Sequence, residues 1–220
     1  MVDEMQDYTP IQYAVIRKLF PCRKTILGDS NQSVNPYTST SLDVICSIFP
    51  DAEAVKLCRS YRSTFEITEL SQRISENPDL IPVERHGEKP IVQGFESDKE
   101  ERKHIRKLIR EHQEASYQSL GIICKTNKQA KALYEKLKDK FEDVCLLDFD
   151  SREYKEGIVI TSAHMAKGLE FDQVIIPHVD ANTYHTMLDR SLLYIACTRA
   201  MHKLDFTYNG EMTEFLSNQV

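Results

Sequence analysis

The stretch LGIICKTNKQAKALYEKLKDKFEDVCLL, Leu120–Leu147, decides the fold class of this 220-residue chain. It begins with an apolar run of strand length, Leu120–Cys124, and ends with a second one, Val144–Leu147. Between the two runs, Lys128–Lys140 carries apolar residues at helical spacing, which are Ala130, Leu133, Tyr134 and Leu137. A strand, a helix and another strand in this order predict a unit of an α/β sheet.

The same alternation continues on both sides of this stretch. We predict strands at Lys24–Leu27, Ala54–Cys58, Ile91–Phe95, Gly157–Thr161, Val174–Pro177 and Lys203–Tyr208. We predict one helix that begins at Thr9 and Pro10, with Ile11, Ala14, Val15 and Leu19 apolar, and others at Leu42–Phe49, Thr64–Ser75, Asp98–Ala115 and Leu188–Ala200. Together these elements predict an α/β fold with a largely parallel sheet and helices on both faces.

Composition limits the class of protein. Apolar residues make up 41% of the chain and charged residues 28%, which is typical of folded rather than disordered proteins. The apolar runs are much shorter than the roughly 20 residues that a membrane helix requires, and the acidic first residues do not resemble a secretory signal. The six cysteines contain no CxxC pair and have apolar neighbours. We therefore expect a cytoplasmic protein without a membrane partner.

Charge and spacing also bear on possible ligands. The net charge of −6 argues against a protein that coats nucleic acid by bulk charge, so any such contact must be local. Basic and acidic residues are interleaved in Asp98–Ala115, which we interpret as a solvated helix face rather than a nucleic-acid patch. His178, Asp180 and His185 lack zinc-site spacing, so we interpret them as polar loop residues rather than metal ligands.

The glycine content excludes two nucleotide-binding motifs from this sequence. Only seven glycines are present, and no pair has the separation of the phosphate-binding loop GxxxxGK[ST], the Walker A motif. The dinucleotide motif GxGxxG is absent as well. Any nucleotide chemistry of the chain must therefore use other residues.

A pair of adjacent carboxylates, Asp3 and Glu4, follows the apolar residue Val2 and precedes a helix. Open α/β folds bind ligands at such strand ends, where one carboxylate can hold Mg²⁺ and another can polarise water. The alternative interpretation is that Asp3, Glu4 and Asp7 only favour the amino end of a helix. This segment by itself leaves both interpretations open.

Five segments read together are more specific than any one of them. They are VDEMQD (Val2–Asp7), LGDSNQSV (Leu27–Val34), LCRSYRST (Leu57–Thr64), TSAHMAKGLEFDQVII (Thr161–Ile176) and LLYIACTRA (Leu192–Ala200). Their order resembles that of the later motifs of superfamily 1 DNA helicases of the UvrD/Rep type, from Val2 to about Leu204, with a weaker match from about Phe65 to Ile160.

The resemblance implies a catalytic role for several of these residues. It implies that Asp3 coordinates Mg²⁺ and that Glu4 activates the attacking water, as metal-assisted phosphoryl transfer requires. Gln32 matches the amide that senses the γ-phosphate of ATP. Tyr61 matches an aromatic residue that stacks on adenine, and Arg62 an arginine that reaches the γ-phosphate. For Tyr61 the structural alternative is a residue at the edge of the core.

The later segments match positions that bind ribose, phosphate and nucleic acid in the family. Glu170 would accept hydrogen bonds from ribose hydroxyls, and Gly168 would permit close approach of the backbone to the nucleotide. Arg199 matches the arginine finger, which neutralises charge on the transferred phosphoryl group. The matching nucleic-acid residues are Ser162 and His164, at the strand backbone, and Tyr37, whose counterpart stacks on a base. Taken alone, His164 is also consistent with a hydrogen-bonded structural residue.

The chain departs from the family pattern at three places. Asn35 and Thr38 stand where a tyrosine and an arginine are usual, so strand contacts there are expected to be weaker or rearranged. Arg62 and Ser162 are 100 residues apart, too few for the large accessory arm of UvrD and Rep, and this spacing resembles the compact branch that includes HelD. The Walker A loop is missing before the carboxylate pair.

We therefore predict a remnant of a first RecA-like domain at residues 1–56 and a second RecA-like domain at residues 57–220. The leading hypothesis is the carboxy-terminal part of an ATP-dependent DNA helicase or translocase that uses ATP and Mg²⁺ and moves on single-stranded DNA, and that is inactive by itself. The alternative is a non-catalytic module that docks on RNA polymerase or another partner. A GxxxxGK[ST] sequence encoded upstream of Met1 in the parent reading frame would favour the enzyme.

Overall fold

The computed structural model describes residues 1–29, 32–33, 41–151 and 157–217. These residues form two compact units, Met1–Cys58 and Arg59–Val220, which we call unit 1 and unit 2. The boundary between them lies two residues after the one that the sequence predicts. Among the described residues, no helix is long and apolar enough to cross a bilayer.

Unit 1 has a small core between two helices. A 3₁₀ turn, Met5–Asp7, precedes helix α1 (Pro10–Leu19), and α2 (Leu42–Ile48) follows later. The side chains of Thr9 and Gln12 form a reciprocal capping box at the start of α1, which fixes this boundary. The buried apolar residues are Met5, Tyr13 and Ile45.

Three predictions for unit 1 are wrong in detail. The apolar residues expected to bury one side of α1, namely Ile11, Val15 and Leu19, are exposed, and Tyr13 is buried instead. The predicted strand Lys24–Leu27 is reduced to a single parallel bridge between Val2 and Ile26. Ala54–Cys58 forms no strand, and Val55 and Leu57 are exposed. An apolar run becomes a strand only where a partner strand and a cover are present, and this run has neither among the described residues of unit 1.

Unit 2 contains a six-stranded sheet in which every neighbouring pair is parallel. A separate parallel pair, β1 (Arg59–Ser60) and β2 (Ile81–Pro82), lies outside this sheet. The sheet strands, in chain order, are β3 (Ile91–Phe95), β4 (Leu120–Cys124), β5 (Val144–Leu147), β6 (Ile158–Ser162), β7 (Phe171–Ile176) and β8 (Ala200–Asn209). In space, their order is β3-β8-β7-β4-β6-β5. The predicted parallel α/β sheet is confirmed.

Helices flank this sheet as predicted. They are α3 (Phe65–Ile74), α4 (Asp98–Glu114), α5 (Asn127–Leu137), α6 (Met187–Cys197) and the short α7 (Glu214–Ser217), which the sequence did not predict. One apolar cluster joins α4 and α5 to strands β4 to β7, whereas α3 and α6 contact each other and β8. All residues of β4 and β6 are buried, as is typical of strands covered on both faces.

Strand β7 begins earlier than predicted. It starts at Phe171 rather than Val174, because Phe171 pairs with Ala200 before a register shift between Phe171 and Gln173. All sheet strands run in one direction, so their carboxyl ends share one edge of the sheet and their amino ends the other. Residues that follow β6 and residues that precede β7 or β8 therefore lie at opposite edges.

Candidate functional site

The carboxylate pair of unit 1 follows the bridging residue Val2. Val2 donates its backbone N–H to the carbonyl of Thr25 at 2.8 Å, so it marks the end of a short parallel pairing. Glu4 adopts the left-handed conformation with φ 54°, and its N–H donates to Asp3 Oδ1 at 2.8 Å. This backbone conformation is uncommon for glutamate and is strained, so the neighbouring contacts must hold it in place.

A chain of hydrogen bonds connects Glu4 to Gln32 in unit 1. The buried Gln6 amide donates from Nε2 to Glu4 Oε2 at 2.6 Å and accepts at Oε1 from the Asp29 N–H at 3.1 Å. Gln32 Nε2 in turn donates to Asp29 Oδ2 at 3.0 Å. The predicted water-activating residue and the predicted phosphate sensor are therefore linked through Gln6 and Asp29. The family resemblance implies no role for these two residues, although both lie within the quoted motifs.

Gly28 permits the close backbone approach on which these hydrogen bonds from Glu4 to Gln32 depend. A Cβ at residue 28 would lie 2.5 Å from Gln6 Oε1 and 2.5 Å from the Met5 backbone nitrogen. Real Cβ atoms do not approach other atoms so closely, so a side chain here would displace Gln6 or the Met5 backbone. Glycine is needed at this position for space.

Tyr37 lies outside the described residues, together with Asn35 and Thr38. Its predicted stacking on a base therefore stays a prediction. The described part of the same motif is limited to Leu27–Asp29, Gln32 and Ser33.

In unit 2, two of the predicted nucleotide-binding residues contact each other. Arg62 Nη2 lies 2.6 Å from Glu170 Oε1, and the two side chains are 39% and 43% exposed. Arg85 connects the Arg62 backbone to the start of β8, because its guanidinium donates to the carbonyls of Arg62 and Met201. Tyr61 is exposed rather than part of the core edge, so its ring is accessible to a ligand.

Arg199 directly precedes β8 and is 2% exposed. Its guanidinium donates from Nη1 to the carbonyl of Leu169 at 3.3 Å and from Nε to that of Ile195 at 3.2 Å. Its own carbonyl accepts from the N–H of Phe171 at 2.9 Å. Arg199 is therefore packed against the segment that contains Gly168 and Glu170, and its guanidinium is buried among backbone carbonyls. Its role as an arginine finger stays a prediction.

Gly168 has a conformational role. Its φ is +83°, which side chains rarely adopt, and a Cβ there would meet nothing within 4 Å. The family resemblance attributes this glycine to close approach of a ligand. Within the structure, its backbone angle is sufficient reason for glycine.

Ser162 and His164 lie at the opposite, carboxyl edge of the sheet. Ser162 ends β6 and is buried, and its Oγ accepts from the N–H of Met165 at 3.4 Å. His164 is exposed, and its ring centroid lies 6.3 Å from that of Phe149. The segment 163–170 then returns to the amino edge of the sheet. It joins the predicted nucleic-acid residues to the predicted nucleotide residues in one short connection.

A buried carboxylate, Glu101 in α4, anchors the loop after β7. Its Oε1 accepts from the His178 N–H at 2.9 Å and from Thr207 Oγ1 at 2.7 Å, and its Oε2 lies 2.8 Å from His178 Nδ1. Burial alone would raise the pKa of Glu101, but the bonds from His178 and Thr207 lower it to about 2. Burial opposes the charge of His178, whereas the bond and the charge of Glu101 raise its pKa above the usual value.

Two sets of possible metal ligands lie near this loop, and their carboxylate oxygens accept hydrogen bonds from other groups of the protein. Asp98, Glu101 and His178 bring their ligand atoms within 4.8 Å of one another. However, the Glu101 oxygens already accept four hydrogen bonds, including one from Asn209 Nδ2 at 3.1 Å. Asp180, from the sequence-based set, accepts from the N–H groups of Asn182 and Thr183 within its own turn.

Two family models match the chain, and both describe the UvrD-like helicase C-terminal domain. One covers residues 55–148 and the other residues 157–206. This chain belongs to the UvrD-like helicases. The resemblance predicted from the sequence motifs is confirmed, and the matched ranges lie almost entirely within unit 2.

Relatives of this UvrD-like chain include proteins named as helicases. It is 38% identical to "ATP-dependent DNA helicase UvrD2" of Mycobacterium tuberculosis over 79 residues, which is 34% of this chain and 11% of the relative. It is 28% identical to "ATP-dependent DNA helicase PcrA" of Staphylococcus aureus over 147 residues, which is 61% of this chain and 20% of the relative. The matches thus span a fifth or less of these relatives.

A solved structure supports the same assignment. The C-terminal domain of a possible DNA helicase from Lactobacillus plantarum WCFS1 is 30% identical to the chain, with a TM-score of 0.61. The match covers 72% of this chain and 92% of that domain. The second unit of this UvrD-like chain therefore has the fold of a helicase C-terminal domain.

Proposed function

We propose that the chain is the carboxy-terminal part of a motor that couples ATP hydrolysis to movement on single-stranded DNA. Unit 2 would be its second RecA-like domain, and unit 1 would be part of its first. The UvrD2 and PcrA matches support ATP and DNA as ligands, since both relatives are named ATP-dependent DNA helicases. The same matches favour a motor over the alternative module that docks on RNA polymerase.

One observation in unit 2 carries the nucleotide assignment. The guanidinium of Arg199 bonds to the carbonyl of Leu169, and the next residue, Glu170, is paired with Arg62. Residues that are far apart in sequence, and that the motifs assign to ribose and γ-phosphate, thus lie in one neighbourhood. Two arginines beside a carboxylate suit a nucleotide triphosphate, because guanidinium groups bind phosphate oxygens and a carboxylate accepts from ribose hydroxyls.

In unit 1, the acidic pair suits Mg²⁺ and water chemistry. Asp3 is exposed and offers carboxylate oxygen, the ligand type that Mg²⁺ prefers. Glu4 would polarise the attacking water, and Gln6 holds its carboxylate at 2.6 Å in a fixed orientation. Mg²⁺, when bound, would neutralise phosphate charge. Gln32, connected through Asp29, would respond to the γ-phosphate.

A chimaera tests the nucleotide role of unit 2. Unit 2 would replace the aligned part of S. aureus PcrA, and ATP hydrolysis would be measured with Mg²⁺ and single-stranded DNA. We expect Arg199→Ala to lower kcat by roughly 10³- to 10⁵-fold, the range for arginine fingers, with a much smaller effect on nucleotide affinity. Arg199→Lys should restore little, because a point charge cannot reproduce the planar fork.

The matched control is Arg73→Ala. Arg73 is half-exposed on α3 and pairs with the neighbouring Glu69 on the same helix, at 2.7 Å. Its removal should leave kcat within about twofold of the parent chimaera, since surface pairs of this type contribute little. Turnover of the Arg199→Ala chimaera within about threefold of the parent would contradict the finger assignment.

A further inference from the structure

Phe149 has a large apolar side chain that is exposed to solvent. It is 71% exposed and lies two residues beyond the end of β5, the edge strand next to β6. Burying a phenylalanine ring is strongly favourable, so a ligand that covers this ring would gain free energy.

The turn that carries Phe149 is fixed by its own hydrogen bonds. The Ser151 N–H donates to the Asp148 carbonyl at 3.2 Å, and the Asp150 N–H donates to Asp148 Oδ1 at 3.1 Å. The Asp148 N–H donates to Ser151 Oγ at 3.0 Å. The ring of Phe149 is therefore presented from a defined turn rather than from a loose loop.

The register of the sheet places His164 beside this ring. Leu147 pairs with Thr161 on the neighbouring strand, and the Thr161 hydroxyl donates to the Leu147 carbonyl at 2.8 Å. Phe149 and His164 follow these two residues at the same carboxyl edge. Their ring centroids are 6.3 Å apart, and the ring planes are tilted by 54°. The two rings are therefore neighbours but do not stack on each other, and both are exposed.

We propose that Phe149 and His164 form a stacking site for an unpaired base of single-stranded nucleic acid. The proposal rests on the proposed function, and it adds a residue and a mode of recognition. Exposed aromatic rings beside a strand-binding edge stack on bases of any sequence. The turn itself carries Asp148 and Asp150, whose charge disfavours phosphate, and the Ser162 side chain is buried. Recognition here is therefore through the base rather than the phosphate.

The test compares binding of a strand with bases and a strand without them. Fluorescence anisotropy at low salt would measure the affinity of the 220-residue chain for a labelled dT12 oligonucleotide and for an abasic 12-residue strand. Stacking contributes about 1–3 kcal/mol per base, so Phe149→Ala should weaken dT12 binding by about 5- to 150-fold. Phe149→Tyr should retain the affinity within about twofold, and abasic binding should not respond to Phe149→Ala.

Phe20→Ala is the matched control, because Phe20 is also an exposed phenylalanine but lies in unit 1, where we assign it no ligand. It should leave dT12 binding unchanged. Photo-cross-linking with 5-iodouracil in the oligonucleotide should label Phe149 or His164. An unchanged affinity of Phe149→Ala for dT12, or an equal loss on both strands, would overturn the stacking site alone. Failure of the wild-type chain to bind either strand would contradict the proposed DNA contact as well.

Discussion

Arg62 and Glu170 form an ion pair of 2.6 Å between two residues that the family motifs assign to different parts of one nucleotide. Without a ligand, each neutralises the other. Both side chains are more than a third exposed, so the pair contributes only about 0–1 kcal/mol and opens at little cost. A nucleotide would replace this contact with a phosphate for Arg62 and a ribose for Glu170.

The two candidate arginines should differ in their effect on stability. Arg62→Ala should change the free energy of unfolding by less than about 1 kcal/mol, because its pair is solvent-screened. Arg199→Ala should cost more than about 2 kcal/mol, because it removes a large buried side chain and takes the Arg199 donor from the carbonyl of Leu169. Urea denaturation of the 220-residue chain measures both values. Equal losses for the two variants would contradict the burial of Arg199.

The Glu101–His178 pair predicts a pH dependence of stability. The folded pKa of His178 is raised above 6.5 by its bond to Glu101, with Asp98 and Asp180 adding negative charge nearby. Its contribution to folding is therefore complete below pH 6.5 and is lost as the pH rises through the raised pKa. The stability difference between wild type and His178→Asn should be largest at low pH. Asparagine tolerates the φ of 58° at this position.

A double-mutant cycle isolates this effect from other groups. Burial lowers the pKa of His112 and of His104, and these histidines act in the opposite direction over the same pH range. In a Glu101→Gln background, His178→Asn should lose its pH dependence. If the stability difference between wild type and the His178→Asn variant grows with rising pH, the assigned charge state is wrong.

Gly28→Ala should disturb unit 1 locally. The added Cβ would lie 2.5 Å from the Met5 nitrogen, so we expect a destabilisation of about 1–3 kcal/mol. Hydrogen exchange is a direct measure, because the Met5 N–H donates to the Leu27 carbonyl at 2.8 Å and should lose protection. The amides of β4 in unit 2 serve as an internal control and should be unchanged. Full protection of the Met5 amide in the variant would show that the site has room for a side chain.

The 220-residue chain by itself should not hydrolyse ATP at a useful rate. It contains no GxxxxGK[ST] loop to cradle the phosphates and no lysine in that setting. A phosphate-release assay with Mg²⁺ and single-stranded DNA checks this expectation. Turnover that Glu4→Gln abolishes would mean that other residues of the chain replace the loop.

The sequence predicts the sheet of unit 2 better than the strands of unit 1. The bounds of β3, β4 and β5 are as predicted, because each is a short and largely apolar run bounded by polar residues or proline. Ala54–Cys58 has a similar pattern but pairs with no strand in the part of the chain that the structure describes, and pairing starts only at Arg59. The sequence pattern of a strand does not specify which other strand will pair with it.

For the candidate site, too, the sequence identifies the residues but not their contacts in three dimensions. Motif order identifies Glu4 and Gln32, but the link through Gln6 and Asp29 depends on the left-handed conformation of Glu4, which its sequence neighbours do not specify. Phe149 carries no sequence signal, since a single aromatic residue after a strand is usually assigned to the core. Its exposure and its distance from His164 become visible only in three dimensions.

Strand β8 is the last strand of the sheet to be synthesised, yet it lies between β3 and β7, and Ile91 pairs with Asp205. The edge strand β3 therefore cannot dock while the ribosome is still making the residues after α6. Such distant pairings slow folding, and a chain that stops before Ala200 exposes one side of β7 to other molecules. Strands β4, β5 and β6 can assemble first, and the carboxyl-terminal residues then close the sheet and protect the nascent chain from aggregation.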